Sequence, residues 1–84
     1  MKLEIISPEK IIYSGNADVV TLPGTSGSFT ILPGHAAIIS SLEKGKLRYQ
    51  INGKDTEIII NGGFIEMKNE VITICIEQIL ETED

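Results

Sequence analysis

One stretch in the middle of the chain decides the fold class: Lys46-Leu47-Arg48-Tyr49-Gln50-Ile51, followed by Asn52-Gly53. Its apolar and polar residues alternate one by one, which is the period of a β-strand with one face in the core. Asn52-Gly53 favours a type I′ hairpin turn, because both residues tolerate positive φ. A second strand over Thr56–Ile60 follows the turn. The stretch therefore predicts a hairpin within a β domain.

The sequence on both sides continues this pattern. Turn signals recur about every 8–12 residues, a spacing typical of a β-sandwich or barrel. Isoleucine occurs sixteen times, and its branched side chain packs well on a pleated sheet. The further predicted strands are Lys2–Ser7, Ala17–Leu22, Phe29–Leu32, Ala36–Leu42, Phe64–Met67 and Val71–Ile76, the last two forming a hairpin.

The length and the composition predict one all-β domain. A chain of 84 residues is too short for two domains. We expect the domain to cover residues 1–80 and the acidic residues 81–84 to form a tail, with Glu77–Asp84 frayed. A helix over Ala36–Lys44 is the alternative to a strand there.

Glycine and proline mark the predicted turns. Proline fixes φ and glycine tolerates positive φ, so Pro-Gly pairs suit tight turns. Gly62-Gly63, between two apolar runs, also predicts a bulge or a close approach of two backbones. The residues assigned to structural turns are Gly15, Pro23, Gly24, Gly27, Pro33, Gly34, Gly62 and Gly63.

The charge of the chain limits its partners. The formal net charge is −5, and the chain has no Lys/Arg cluster, so we do not expect it to bind nucleic acid or anionic lipid directly. Its apolar runs are far shorter than the ~20 residues that span a bilayer. The single cysteine excludes an intrachain disulfide and fits a reducing compartment. Other proteins are therefore the expected partners.

The reactive and metal-ligating residue types in the sequence do not form a catalytic, cofactor or metal site. His35 is the only histidine, whereas a zinc site needs three or four ligands and a hydrolytic triad needs a nucleophile and an acid. Cys75 has no basic neighbour to activate it, so we interpret it as a buried structural residue. The glycine-containing segment Leu22–Gly27 lacks the Gly-Lys-Ser/Thr of a phosphate-binding loop. Two non-catalytic alternatives stay open: a carrier module modified at Lys54, beside the hairpin turn, and an unassigned β protein-interaction domain, which a deep ligand pocket in place of a filled sandwich would favour.

Four segments carry a more specific signal. The longest is Leu22-Pro23-Gly24-Thr25-Ser26-Gly27-Ser28-Phe29-Thr30-Ile31-Leu32-Pro33-Gly34-His35-Ala36. The others are Leu3–Ser7 with Tyr13-Ser14-Gly15, Leu42–Arg48 and Asn61–Met67. With these segments in register, residues 2–80 resemble the N-terminal domain of the epsilon subunit of F-type ATP synthase, which is called delta in mitochondria.

The resemblance implies a fold, a role and two contact residues. The fold is a flattened β-sandwich of about ten short, mainly antiparallel strands. The role is that of a non-catalytic rotor subunit without a cofactor, which docks the gamma subunit to the c ring and couples proton translocation to ATP synthesis. The subunit would lie at the cytoplasmic face of the bacterial inner membrane, held there peripherally by the complex. Ser28 and His35 inherit contacts with the c ring.

The sequence also departs from the family. Relatives often have an acidic residue at the position of Ser28, and commonly Gly at Thr30 and Pro at Ala37. Loss of that acid would weaken charge pairing with a basic c-ring loop. Charges at the rim of an interface mainly set the association rate and the specificity, so docking itself would survive the change. Most bacterial members continue into an inhibitory two-helix hairpin, so a chain ending at Asp84 is expected to lack it.

Overall fold

A computed structural model describes the backbone of residues 1–83 and the side chains of residues 1–80. All regular structure in this part of the chain is β-strand, as the alternation predicts. Ten strands follow one another in chain order: β1 (Lys2–Ile6), β2 (Ile11–Asn16), β3 (Val19–Gly24), β4 (Gly27–Ile31), β5 (Ile38–Leu42), β6 (Gly45–Ile51), β7 (Lys54–Ile60), β8 (Gly63–Lys68), β9 (Val71–Ile76) and β10 (Ile79–Glu83).

The strands form one hydrogen-bonded sheet that curls on itself into a half-barrel of two layers. Its order is β10-β7-β6-β3-β5-β8-β9-β1-β2, and β4 pairs with β3 beside this path. Neighbouring strands run antiparallel except β1 and β9, which pair in parallel from Lys2↔Val71 to Ile6↔Cys75. The predicted all-β sandwich of mainly antiparallel strands is confirmed.

The core lies between the two layers and consists of inward-facing aliphatic side chains. Along β9 the buried residues are Ile72, Ile74 and Ile76, and along β6 they include Leu47 and Tyr49. Both sets alternate with more exposed residues, as a strand with one buried face requires. The ring of Tyr49 packs on Tyr13, with ring centroids 4.5 Å apart. This contact fastens β2 over β6 across the core.

The two predicted hairpin turns are confirmed. Asn52 and Gly53 have φ of 52° and 78°, as a type I′ turn requires, and they join β6 to β7 between Ile51 and Lys54. Asn69 and Glu70 have φ of 52° and 63° and join β8 to β9.

Two strands were not predicted. Ser14-Gly15-Asn16 looked like a turn, but β2 runs through these residues and pairs with β1, so Gly15 lies in a strand. The hydroxyl of Tyr13 donates a 2.7 Å hydrogen bond to the carbonyl of Asn16, and a side chain on Gly15 would collide with that phenol. Gly15 is therefore a site of close contact and not a turn residue.

The expectation of a frayed tail over Glu77–Asp84 is wrong for residues 79–83. β10 pairs with β7 from Ile79↔Ile60 to Glu83↔Glu57 and crosses the boundary expected at residue 80. Ile79 also packs against the core. Pairing with the edge of β7 gives these backbone groups hydrogen-bond partners, which outweighs the acidic composition. Asp84 lies outside the described residues.

Two other assignments need correction. Pro23 and Gly24 belong to β3, and the turn lies at Thr25-Ser26, with Gly24 paired to Gly27. Position 24 needs glycine because of a close contact: a β-carbon there would lie 2.8 Å from the ring of Phe29. The segment Ala36–Lys44 holds strand β5, which pairs with β8, so its helical alternative is wrong. Within residues 1–83, no helix has the length and apolar character needed to cross a bilayer.

Candidate functional site

The loop of residues 32–37, between β4 and β5, is the longest connection between successive strands of the described chain. All six of its residues are exposed, and Leu32 is 53% exposed. Its centre is a β-turn in which the backbone N–H of His35 donates a 3.1 Å hydrogen bond to the carbonyl of Leu32. Pro33 and Gly34 fill the central positions, and Gly34 has φ of 86°, as a type II turn requires. The turn presents Leu32 and His35 to solvent.

The imidazole of His35 makes a hydrogen bond to the backbone of the next residue. Its Nδ1 lies 2.7 Å from the carbonyl oxygen of Ala36. Because a carbonyl oxygen only accepts hydrogen bonds, Nδ1 carries a proton in this contact. Among the side chains of residues 1–80, no group of three His, Cys, Asp or Glu is placed to hold a metal ion. The arrangement suits a polar contact with another protein.

A second turn lies beside this loop. The backbone N–H of Gly34 donates a 2.5 Å hydrogen bond to Oε1 of Glu70, which lies in the β8–β9 turn. Glu70 was not among the residues that the sequence singled out. The sequence feature that could have pointed to Glu70 is the two-residue turn Asn69-Glu70, because its second position has a glutamate where glycine is usual.

The loop of residues 32–37 shares one end of the sandwich with the turns at 52–53 and 69–70. We call this the His35 end. The start of β1 and the residues after β2 also lie here, since the amino group of Met1 donates a 3.1 Å hydrogen bond to the carbonyl of Ala17. Asp18 follows, and its carboxylate accepts a 3.0 Å hydrogen bond from the backbone N–H of Asn52. The His35 end is thus a surface built from several connected loops.

Ser28 does not lie at the His35 end. It is exposed near the start of β4 and pairs with Pro23, next to the Thr25-Ser26 turn. β4 then runs to Ile31 before the loop begins. At ~3.3 Å per residue, the strand separates Ser28 from the loop by about 13 Å. Ser28 and His35 therefore lie at opposite ends of β4, and only a partner that follows this edge strand reaches both.

The other reactive residues that the sequence singled out, Cys75 and Lys54, lie outside the loop of residues 32–37. Cys75 shares a face with Val71 and Thr73, as the alternation predicts, but this is the outer face of the sheet and Cys75 is only half-buried. The expectation of a buried cysteine is wrong, because Ile74 and Ile76 occupy the core side. Cys75 and Phe64 line an apolar surface groove of about 430 Å³. Lys54 is exposed directly after the Asn52-Gly53 turn.

Gly62 and Gly63 form the corner that leads into β8. Their φ values are 135° and 151°, which favour glycine. The carbonyl of Gly62 accepts a 3.3 Å hydrogen bond from the backbone N–H of Glu77, and the backbone N–H of Asn61 donates one of 3.2 Å to Gln78. The corner fastens the start of β8 to the segment between β9 and β10.

Comparison with known proteins gives a consistent result along nearly the whole chain. Residues 1–82 match the family described as "ATP synthase, Delta/Epsilon chain, beta-sandwich domain". The ATP synthase epsilon chain of Carboxydothermus hydrogenoformans is 42% identical over 76 residues, covering 89% of this chain and 57% of the relative. The chloroplastic epsilon chain of Phaeodactylum tricornutum is 39% identical over 84 residues, covering 100% of this chain and 63% of the relative. The chain thus spans less than two thirds of the length of these relatives.

Solved structures share the fold at lower identity. A chain in the cryo-EM structure of the Euglena gracilis mitochondrial ATP synthase, in its OSCP/F1/c-ring part, matches with a TM-score of 0.87 at 22% identity, covering 94% of this chain and 51% of that one. A chain in the central stalk/c-ring structure of the Tetrahymena thermophila mitochondrial ATP synthase matches with a TM-score of 0.80 at 15% identity. The match covers 95% of this chain and 65% of that one. At these identities the similarity is one of fold.

Proposed function

This chain belongs to the delta/epsilon chain family of ATP synthase, and we propose that it is a non-catalytic subunit of the central stalk of an F-type ATP synthase. The observation that carries the proposal is the family match over residues 1–82. Epsilon chains that are 39% and 42% identical to it support the same role. The subunit needs no cofactor for this role, because it transmits force through protein contacts.

The partners proposed for the subunit are the gamma subunit and the c ring. The Euglena gracilis and Tetrahymena thermophila structures that share this fold are of complexes that contain a c ring. The exposed loop of residues 32–37 offers the c ring an aliphatic side chain, Leu32, and a polar one, His35. Docking at both partners would couple proton translocation to ATP synthesis. The complex would hold the subunit at the cytoplasmic face of the bacterial inner membrane.

Ser28 is the weaker of the two contact residues in this proposal. Its distance from the loop along β4 requires a c-ring contact that extends along the edge strand. Its hydroxyl also carries no charge and so cannot form an ion pair with a basic loop. We therefore expect His35 to contribute more to c-ring affinity than Ser28.

Binding of the purified chain to purified gamma and to a gamma–c-ring assembly tests the proposal. Stable capture by gamma, and tighter capture by the assembly, is the expected result. His35→Ala and Ser28→Lys should weaken binding to the assembly with little change in thermal stability. Glu9→Ala is the control for His35→Ala, since Glu9 is exposed in the β1–β2 connection, at the end of the sandwich opposite His35. Absence of binding to both partners would exclude the proposed role.

The carrier alternative at Lys54 has a simple separate test. Lys54 is exposed, but the family match of residues 1–82 is to a stalk subunit. The intact mass of the protein from its native cell should equal the unmodified sequence. A mass increase that maps to Lys54 would restore the carrier alternative.

A further inference from the structure

We propose that Glu70 is a positioning residue that holds the loop of residues 32–37 in its observed conformation. The importance of that loop for docking rests on the proposed function above. The inference itself comes from two observations on one residue: an unfavourable backbone conformation, and a side-chain hydrogen bond to a distant loop.

The backbone of Glu70 is strained. Glu70 has φ of 63° in the second position of a two-residue β-hairpin turn, where glycine is preferred. The other such turn follows this preference, with Gly53 at the equivalent position and φ of 78°. A side chain on left-handed backbone crowds the adjacent carbonyl oxygen. Turn formation alone therefore does not explain a glutamate at position 70.

The side chain of Glu70 explains its presence. Its Oε1 accepts a 2.5 Å hydrogen bond from the backbone N–H of Gly34. The β-turn itself uses only the N–H of His35, so Glu70 supplies the partner for the N–H at the centre of the turn. Hydrogen bonds to a carboxylate are stronger than those between neutral groups. The bond connects the loop to the β8–β9 hairpin across the His35 end.

The backbone of Glu70 anchors the contact from the other side. Its carbonyl oxygen accepts a 3.0 Å hydrogen bond from the backbone N–H of Lys2. Glycine at this position would keep that backbone bond and relieve the strain, but it would have no side chain to reach Gly34. Removal of the side chain should therefore release the loop without weakening the fold.

The effect of removing the side chain on thermal stability distinguishes a positioning role from a general structural role. A structural residue would lower the thermal midpoint when it is removed, whereas Glu70 should not. We expect Glu70→Gly to leave the thermal midpoint unchanged or raised, while the amide proton of Gly34 exchanges about tenfold faster because it has lost its acceptor. Glu70→Gln keeps an oxygen acceptor and should lie between wild type and Glu70→Gly. Lys68→Ala, in the same hairpin, is the control and should leave Gly34 unchanged.

The experiment measures hydrogen exchange by NMR, thermal unfolding and c-ring binding on the same full chains. An unchanged exchange rate of Gly34 in Glu70→Gly would overturn the inference. Faster exchange throughout the sheet together with a lowered midpoint would also overturn it, since Glu70 would then be stabilising the whole fold. Faster exchange confined to the loop supports the inference.

Binding separates this inference from the proposed function. If the wild-type chain binds the gamma–c-ring assembly and Glu70→Gly binds about tenfold more weakly, with the loop alone loosened, both are supported. If the wild-type chain binds neither partner while Gly34 still responds to the substitution, the docking role fails and the positioning role of Glu70 stands.

Discussion

Gly63 lies so close to the backbone of Cys75 that a β-carbon on Gly63 would overlap the carbonyl oxygen of Cys75 and stand 2.9 Å from the Cα of Ile76. The neighbouring atoms belong to the backbone of β9, which is paired on both sides and has no room to move. Gly63 is also the first residue of β8 and has φ of 151°. Position 63 therefore needs glycine for two reasons: its backbone has a positive φ, and there is no space for a side chain.

Gly63→Ala should be among the most destabilising substitutions in the chain. We expect a loss of about 3 kcal/mol or more in the free energy of unfolding, from backbone strain and overpacking together. Urea denaturation followed by circular dichroism measures it. Gly27→Ala is the matched control, because Gly27 has φ of 126° but open space around it, and should lose only about 1–2 kcal/mol. Equal losses would contradict the close approach at Gly63.

Ile74→Ala should test the assignment of the two faces of β9. Ile74 is fully buried, whereas Val71 in the same strand is 41% exposed. Truncation of a buried isoleucine lowers the free energy of unfolding by about 2–5 kcal/mol, because it removes apolar burial and leaves a cavity. Val71→Ala should lower it by about 0.5 kcal/mol. A larger effect at Val71 than at Ile74 would mean that the faces are reversed.

Tyr49 should make the domain sensitive to alkaline pH. Burial raises the pKa of its phenol above 10.0, although a hydrogen bond with Thr56 lowers it in part. In the unfolded chain the phenol loses its proton near pH 10, while the folded chain keeps it to higher pH. Its contribution to stability is therefore complete below about pH 10 and is lost as the pH rises through the folded pKa.

Urea denaturation at pH values from 8 to 11 measures this dependence on Tyr49. Tyr49→Phe should reduce the alkaline loss of stability, since its ring has no proton to lose. Tyr13→Phe keeps the Tyr49 phenol and serves as the comparison. An equally steep alkaline loss in wild type and Tyr49→Phe would show that other groups cause it.

Glu57→Gln should have only a small effect. Glu57 lies 3.3 Å from Arg48 and 3.7 Å from Lys46, but the side chains of these cations are 52% and 68% exposed. Water and salt screen such pairs, so the expected loss is at most about 1 kcal/mol in the free energy of unfolding. Thermal unfolding at low and high salt measures it, and the difference should shrink at high salt. A loss above about 2 kcal/mol would mean that these charges support the sheet more than exposed pairs usually do.

The sequence predicted the strands whose pattern is local. β6, β7, β8 and β9 alternate or follow recognisable turns, and the structure has them near their expected bounds. β2 was missed because Ser14-Gly15-Asn16 has turn composition, whereas its pairing with β1 and the packing of Tyr13 over Gly15 arise only in the assembled sheet. β10 was missed because its acidic residues gain partners from β7, a contact between distant parts of the chain.

The candidate site was predictable only in part. Pro33-Gly34 indicated a turn that exposes His35, because proline and glycine act on the backbone locally. Glu70 was invisible, since its partner Gly34 lies far away in sequence and the two meet only when the sheet is assembled. The separation of Ser28 from His35 was implicit in the predicted strand Phe29–Leu32, because an extended strand between the two residues holds them apart.

The parallel pairing of β1 with β9 has a consequence for how the domain is made. A ribosome releases the N-terminal residues first, yet β1 reaches its partner only after Val71–Ile76 has emerged. Until then, the buried side chains Leu3 and Ile5 have no second strand to complete their face of the core. Contacts between the two ends of a chain are slow to form because the loop between them must close first. Synthesis of nearly the whole domain must therefore precede its folding, and any nascent chain that stalls before residue 71 exposes an apolar strand to chaperones and proteases.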